Sequence, residues 1–153
     1  MSQYRTEKAL SQDFERYLKT NFGSAYYKEW SGLFGIPDYV CFCKHSNNIK
    51  VISFELKLTN WRRALVQAFR YRSFSHLSYV VMPEDTIANA SLHTNEFKQY
   101  GIGLLSFGKT GLHTVCDAFL TMPYSPQLSN KVIDKVKKSR KTTFTHYSNV
   151  AFI

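Results

Sequence analysis

Lys50-Val51-Ile52-Ser53-Phe54-Glu55-Leu56-Lys57-Leu58 is the stretch that decides the fold. Its residues alternate. Ile52, Phe54, Leu56 and Leu58 fall on one side of an extended chain, and Val51, Ser53, Glu55 and Lys57 on the other. That pattern, rich in β-branched and aromatic side chains, predicts a strand over 50–58. Upstream, Asp38 to Cys43 predicts a second strand, with His45-Ser46-Asn47-Asn48 as a hairpin-like turn between the two. Downstream, Thr59-Asn60 offers an N-cap for a helix from Trp61 to about Phe74, whose apolar stripe is Trp61, Ala64, Leu65, Ala68 and Phe69.

The same reading extends in both directions. Leu10, Phe14, Tyr17 and Leu18 recur at helical spacing and predict a helix over Thr6–Thr20, stopped by Asn21-Phe22-Gly23-Ser24. A looser segment follows, in which Gly32 and Gly35 supply turns ahead of Ile36-Pro37. Leu77–Met82 is a strand closed by Pro83, and Glu84–Ser91 a loop or short helix. Thr94–Tyr100 forms a helical turn or two, and Gly103–Phe107 and Leu112–Cys116 are two further strands. Helices and strands in this order predict an α/β domain: a mixed sheet with helices packed against it. There is no internal repeat, low-complexity tract or linker.

With 153 residues, 44% of them hydrophobic, the chain builds one compact domain with a sizeable core. Residues 1–125 read as that core. Residues 126–153 read as a basic C-terminal helix and tail of the same domain, entered at Pro126. Lys131 to Lys141 carries six basic residues against one acid, with Leu128, Val132, Ile133 and Val136 as an apolar stripe. Lys135, Lys137, Lys138, Arg140 and Lys141 are candidate phosphate contacts; the plain alternative is a solvated end helix. The formal net charge of +9 favours a polyanionic partner, foremost a nucleic acid. No stretch approaches a membrane span and the start lacks the apolar block of a signal peptide, so the expected location is the cytoplasm. Cys41, Cys43 and Cys116 form no disulfide framework. Cys41-Phe42-Cys43 with His45 falls short of the four ligands of a closed zinc site and reads as buried strand thiols.

Glu55 and Lys57 sit on one side of a strongly apolar strand, where charge is costly without a partner or a task. Asp38 begins the neighbouring strand and comes close if the two pair. Two carboxylates facing one point, with the Leu56 carbonyl as a further oxygen, suit a hard cation such as Mg²⁺ or Mn²⁺. Such an ion supports phosphodiester hydrolysis, with Lys57 as general base or electrostatic helper.

Pro37-Asp38 followed by Glu55-Leu56-Lys57 across a hairpin resembles the motif of the PD-(D/E)xK nuclease superfamily, over about Thr6 to Phe107. The resemblance implies the restriction-endonuclease-like fold, with a central mixed sheet of about four to five strands flanked by helices. It implies Asp38 and Glu55 as metal ligands and Lys57 as the residue serving the attacking water. It also implies an acid from the first helix, for which Glu15 is the first candidate and Glu7 the alternative. Gln67 and Tyr71, four apart on one side of a helix, resemble the Gln-x-x-x-Tyr element that supports the metal site or contacts DNA in several branches. Arg62, Arg63, Arg70 and Arg72 surround them as candidate phosphate contacts, with His76 as a further option. Ser31-Gly32 through Gly35 is loosely similar to the segment before Pro-Asp in Holliday-junction resolvases.

The expected activity is therefore a metal-dependent DNA endonuclease selective for shape or structure, in repair, recombination or mobile-element processing. A Holliday-junction resolvase, a small restriction-type enzyme and a non-cleaving nucleic-acid-binding accessory protein of the same fold are the alternatives. A homodimer would present two sites to two strands. The Tyr26-Tyr27-Lys28-Glu29-Trp30 segment reads as a dimer contact, a nucleic-acid wedge, or simple packing over the sheet edge.

Overall fold

A computed structural model describes residues 3–45, 48–139 and 141. Among them a six-stranded mixed sheet, in the order β1 to β6, is flanked by five helices. The first helix, α1 (Glu7–Phe22), starts where Thr6 accepts a hydrogen bond from the Ala9 N–H and ends at Gly23, with φ +59°. It buries Leu10, Phe14, Leu18 and Phe22 at helical spacing, so the helix runs two residues past the expected Thr20, takes in Phe22 of the expected stop, and leaves Tyr17 only partly covered.

Strands β2 (Tyr39–His45) and β3 (Asn48–Leu56) form the expected antiparallel hairpin, whose tip at Ser46 and Asn47 lies outside the described residues. Helix α2 (Trp61–Tyr71) then crosses over to β4 (Leu77–Pro83), which runs parallel to β3. It is capped by Asn60 and ends three residues before the expected Phe74. Helices α3 (Ala88–Ser91) and α4 (Thr94–Tyr100) lead to β5 (Gly103–Gly108), also parallel, and β6 (Gly111–Cys116) closes that side antiparallel. Helix α5 (Pro126–Lys138) begins at a Ser125 cap with proline in its first turn.

The sheet has a core on each face. Beneath α1, the Phe14 ring meets Tyr39, Phe54 and Phe107, and Val132 and Val136 of α5 join the same cluster. Truncating Phe14 to alanine would cost about 3–5 kcal/mol. On the other face Trp61, Ala64, Leu65 and Ala68 of α2 pack with Val80, Met82, Phe97 and Leu104. Helices on both sides explain why β4 is buried along its whole length.

Two expectations change. The sheet has six strands rather than four to five, because Tyr26–Lys28 forms an edge strand, β1, paired with β2. The stripe of α2 runs through Ala68 to Tyr71; Phe69, one position off that line, is 38% exposed. Among the described residues, no helix is long and apolar enough to cross a membrane.

Candidate active site

Strand pairing sets the site's geometry. Tyr39 lies across from Phe54 and Val40 from Ser53. One step further along that register brings Asp38 opposite Glu55, and opposed residues of an antiparallel pair share a face with Cβ atoms about 5 Å apart. Asp38 Oδ2 accepts a hydrogen bond from the Leu56 N–H at 2.7 Å, which turns the carboxylate toward the end of β3. The strand ends at Leu56, earlier than the expected Leu58, yet the Lys57 N–H still donates to the Val81 carbonyl at 3.0 Å. Lys57 is thereby fixed beside both acids.

Glu55 is 4% exposed. Its Oε2 is 2.5 Å from the Tyr71 hydroxyl, which is also 3.0 Å from the Ile36 carbonyl. A phenol has one hydrogen for these two acceptors. The Tyr71 O–H therefore serves both, donating to the Glu55 carboxyl and to the Ile36 carbonyl. Burial, then the Asp38 charge, pushes the Glu55 carboxyl up to about 8, against the opposing Tyr71 bond and Lys57 charge. Burial also raises Asp38, to about 6, although the Leu56 N–H works against it. Ionising both carboxyls together is opposed by burial and by the charge of the neighbour.

Tyr71 is aimed by a buried serine network. Ser53 Oγ on β3 lies 3.0 Å from both Ser75 Oγ and Ser78 Oγ. Ser75 donates to the Tyr71 carbonyl and Ser78 to the Ala68 carbonyl, so the end of α2 is pinned over Glu55. Alternation along the strand puts Ser53 on the Glu55 side, but Ser75 and Ser78 are isolated small polar residues that carry no pattern in the sequence. The Tyr71 ring also packs against Gly35, where a Cβ would meet Cε1 at 2.9 Å and φ is +80°. Glycine is required there twice over.

The two candidate acids of α1 separate. Glu7 lies 3.7 Å from Lys57 Nζ. Glu15 instead accepts from the Tyr26 hydroxyl at 2.7 Å and pairs with Lys28 at 3.5 Å, on the β1 side of the helix. The Tyr26 bond holds its carboxyl below the ordinary range. The structure thus brings Glu7, not Glu15, to the Asp38–Glu55–Lys57 end of the sheet. A polar cavity of about 410 Å³ opens there, lined by Glu7, Lys8, Ser11, Gln12, Lys28, Glu29 and Asp38. Lys8 and Lys28, which sequence reading did not select, present cations to it. Glu29 adopts φ +51°, and its N–H donates to the Asp38 carbonyl at 2.9 Å.

The remaining candidates divide. Gln67 sits one turn before Tyr71, with its Oε1 buried and lacking a hydrogen-bond partner among the described residues. Arg63 and Arg70 are exposed. Arg62 lies over the Trp61 ring and 3.6 Å from Glu96. Arg72 is only 7% exposed: its guanidinium donates to the Tyr100 carbonyl and to Thr121 Oγ1 and stacks on Tyr124, so it braces the fold instead of facing a phosphate. His76 is also withdrawn. Its Nδ1 accepts the Val51 N–H at 3.0 Å, and burial pulls the ring down to about 4, so it is neutral. On α5, Lys137 and Lys138 are exposed and Lys135 lies over the Tyr27 and Trp30 rings; beyond the helix, Lys141 lies over Tyr27. Arg140 lies outside the described residues. The Tyr27 and Trp30 rings, 4.8 Å apart, are thus covered by α5 and are not free to act as a wedge. All three cysteines are buried.

Among the described residues, no three His, Cys, Asp or Glu side chains converge into a ready metal cage. The donors at the site are a buried carboxylate, Glu55, and a part-buried one, Asp38, whose joint ionisation is opposed by burial and by each other, with the Leu56 main-chain oxygen next to Glu55. That set suits a hard, largely hydrated ion: magnesium is commonly held by one or two carboxylates and keeps several waters. No protein-family model, curated protein or solved structure matches the chain.

Proposed function

We propose that the chain is a divalent-metal-dependent DNA endonuclease of the PD-(D/E)xK type, with a restriction-endonuclease-like arrangement of its sheet and helices. One observation carries the reading: Asp38, one residue before β2, and Glu55, near the end of β3, meet at the same end of the hairpin beside Lys57, and the Leu56 N–H locks Asp38 in place. A carboxylate as buried as Glu55 beside a second one is costly without compensating partners, and a cation is a natural one. Asp38, Glu55 and the Leu56 carbonyl would hold Mg²⁺ or Mn²⁺. When bound, the ion supplies a Lewis acid to the phosphodiester and acidifies water.

The chain's own residues do the rest. Lys57 orients the attacking water or offsets charge growing on the phosphate, and Glu7 steadies its ammonium. Tyr71 holds the Glu55 rotamer and, through Ile36, the loop leading to Asp38. Lys8, Lys28, Arg63 and Arg70 are placed to take the backbone. The deciding experiment is a cleavage panel of linear, nicked, flapped and four-way DNA plus RNA with Mg²⁺ or Mn²⁺. Wild type should nick DNA only with metal, and Asp38→Ala and Glu55→Ala should abolish it. Cleavage that survives both substitutions would overturn the site.

A further inference from the structure

Phe34 and Ile36 are 53% and 56% exposed, on the loop that runs straight into Pro37-Asp38. Large apolar side chains on a slack surface loop would need no explanation. This loop is not slack. Gly35 is wedged against the Tyr71 ring, the Ile36 carbonyl takes the Tyr71 hydroxyl, and a β-bridge closes the turn between Leu33 and Gly35. Lys131 of α5 donates to the Gly32 carbonyl at 2.8 Å, and Leu33 packs on the core. Five anchors therefore hold two apolar side chains out into solvent beside the candidate active site.

The surroundings indicate what they meet. Arg70 lies 5.5 Å over the Phe34 ring, so the projecting face combines an aromatic ring, an aliphatic side chain and an exposed guanidinium. That combination suits nucleic-acid bases flanked by phosphate. Chain length sets the reach. Ile36 is two residues and Phe34 four residues from Asp38, which limits the Phe34 Cα to about 14 Å from the Asp38 Cα. At about 3.4 Å per step along a strand, the contact falls within about four steps of the bond to be broken.

We propose that Phe34 and Ile36 form a wedge that packs against bases unstacked at a nick or branch, giving the protein a preference for interrupted over continuous DNA. The proposal rests on the nuclease reading for the identity of the polymer. Apolar side chains inserted at a base step must meet the cost of unstacking. At a discontinuity the stack is already broken, so the wedge gains its contact without that cost.

The test is binding without catalysis. Nicked, four-way and continuous duplex DNA of matched length are titrated with wild type and with a Phe34→Ser/Ile36→Ser double variant in EDTA, with 2-aminopurine beside the nick. Both side chains are exposed, so the variant should fold, and its thermal melt checks this. Wild type should favour interrupted DNA by about tenfold and brighten the probe. The variant should lose both effects while binding continuous duplex within about twofold of wild type. The proposal is overturned if the variant keeps the preference or wild type shows none. It is also overturned if the substitutions dissociate a dimer and leave DNA preference unchanged, since the patch is then a protein contact. The outcomes separate from those of the nuclease reading. A chain that passes here but never nicks DNA with Mg²⁺ retains the wedge and loses the nuclease. A chain that nicks with metal but binds every DNA alike does the reverse.

Discussion

The Tyr71 hydroxyl bridges Glu55 and the Ile36 carbonyl, at 2.5 and 3.0 Å. A single phenol thus joins a metal-binding candidate on β3 to the loop that delivers Asp38. Burial and the neighbouring Glu55 raise its pKa, so it stays protonated and available as a donor.

Tyr71→Phe separates that hydrogen bond from the ring. The ring keeps its packing on Gly35, so stability should fall by only about 1 kcal/mol. Partners that orient metal ligands are commonly worth about 10–100-fold in metal affinity or activity, and Mg²⁺ titrations of cleavage should show a loss of that size. Wild-type metal dependence in the variant would remove Tyr71 from the site.

Gly35→Ala tests the loop anchor. The position combines φ +80° with a Cβ contact of 2.9 Å, whereas Gly23 has φ +59° and nothing within 4 Å. Both alanines bear backbone strain of about 1 kcal/mol or more, and only Gly35→Ala also displaces the Tyr71 ring. Urea denaturation should show a greater loss for Gly35→Ala, and cleavage should fall in that variant alone. Equal losses would mean that the ring contact contributes nothing.

Much of this arrangement is legible in the sequence. Alternation through Lys50–Leu58, a hairpin and a second strand suffice to bring Asp38 toward Glu55, because antiparallel register follows from the turn. Thr6, Asn60 and Ser125 mark helix starts, since cap chemistry is local. What escapes depends on tertiary context. Strand β1 has three residues and is held by its pairing to β2, with no period of its own to betray it. Phe69 and Tyr71 both look apolar enough to face inward, and only the sheet beneath selects Tyr71. Glu7 and Glu15 are eight residues apart, about 12 Å along the helix, so choosing between them requires knowing which end of α1 meets the strand ends.

That choice is itself testable. Glu7→Gln should reduce cleavage by about tenfold or more, because Lys57 loses the carboxylate that steadies it. Its stability cost should stay below about 1 kcal/mol, since Glu7 is 52% exposed and water screens the pair. Glu15→Gln should leave cleavage near wild type and weaken only the contact with Tyr26 and Lys28. The reverse outcome, measured as single-turnover rates, would return the metal-ligand role to Glu15.

The carboxylate pair predicts an unusual pH response in metal-free protein. Glu55 is raised to about 8 in the folded state from an unfolded value of 4.5. The folded chain therefore binds more protons than the unfolded chain between those values, and stability is lost as pH rises through that window. One such group gives a slope approaching about 1.4 kcal/mol per pH unit. His76 works in the opposite sense: lowered to about 4, it costs stability as pH falls below about 6.5. Comparing wild type with Glu55→Gln cancels the His76 contribution. The glutamine variant should gain on wild type steadily from about pH 4.5 to 8 in EDTA, although it cannot cleave. Saturating Mg²⁺ should stabilise wild type most at the alkaline end, by about 2.7 kcal/mol at a hundred times its Kd, and should leave Asp38→Ala unchanged. Binding near pH 7 should release a proton measurable in weakly buffered solution, because the ion needs Glu55 ionised and burial holds it protonated. A wild-type stability curve parallel to that of Glu55→Gln across this range would show that Glu55 is already ionised, and burial would then not control the site's pH response.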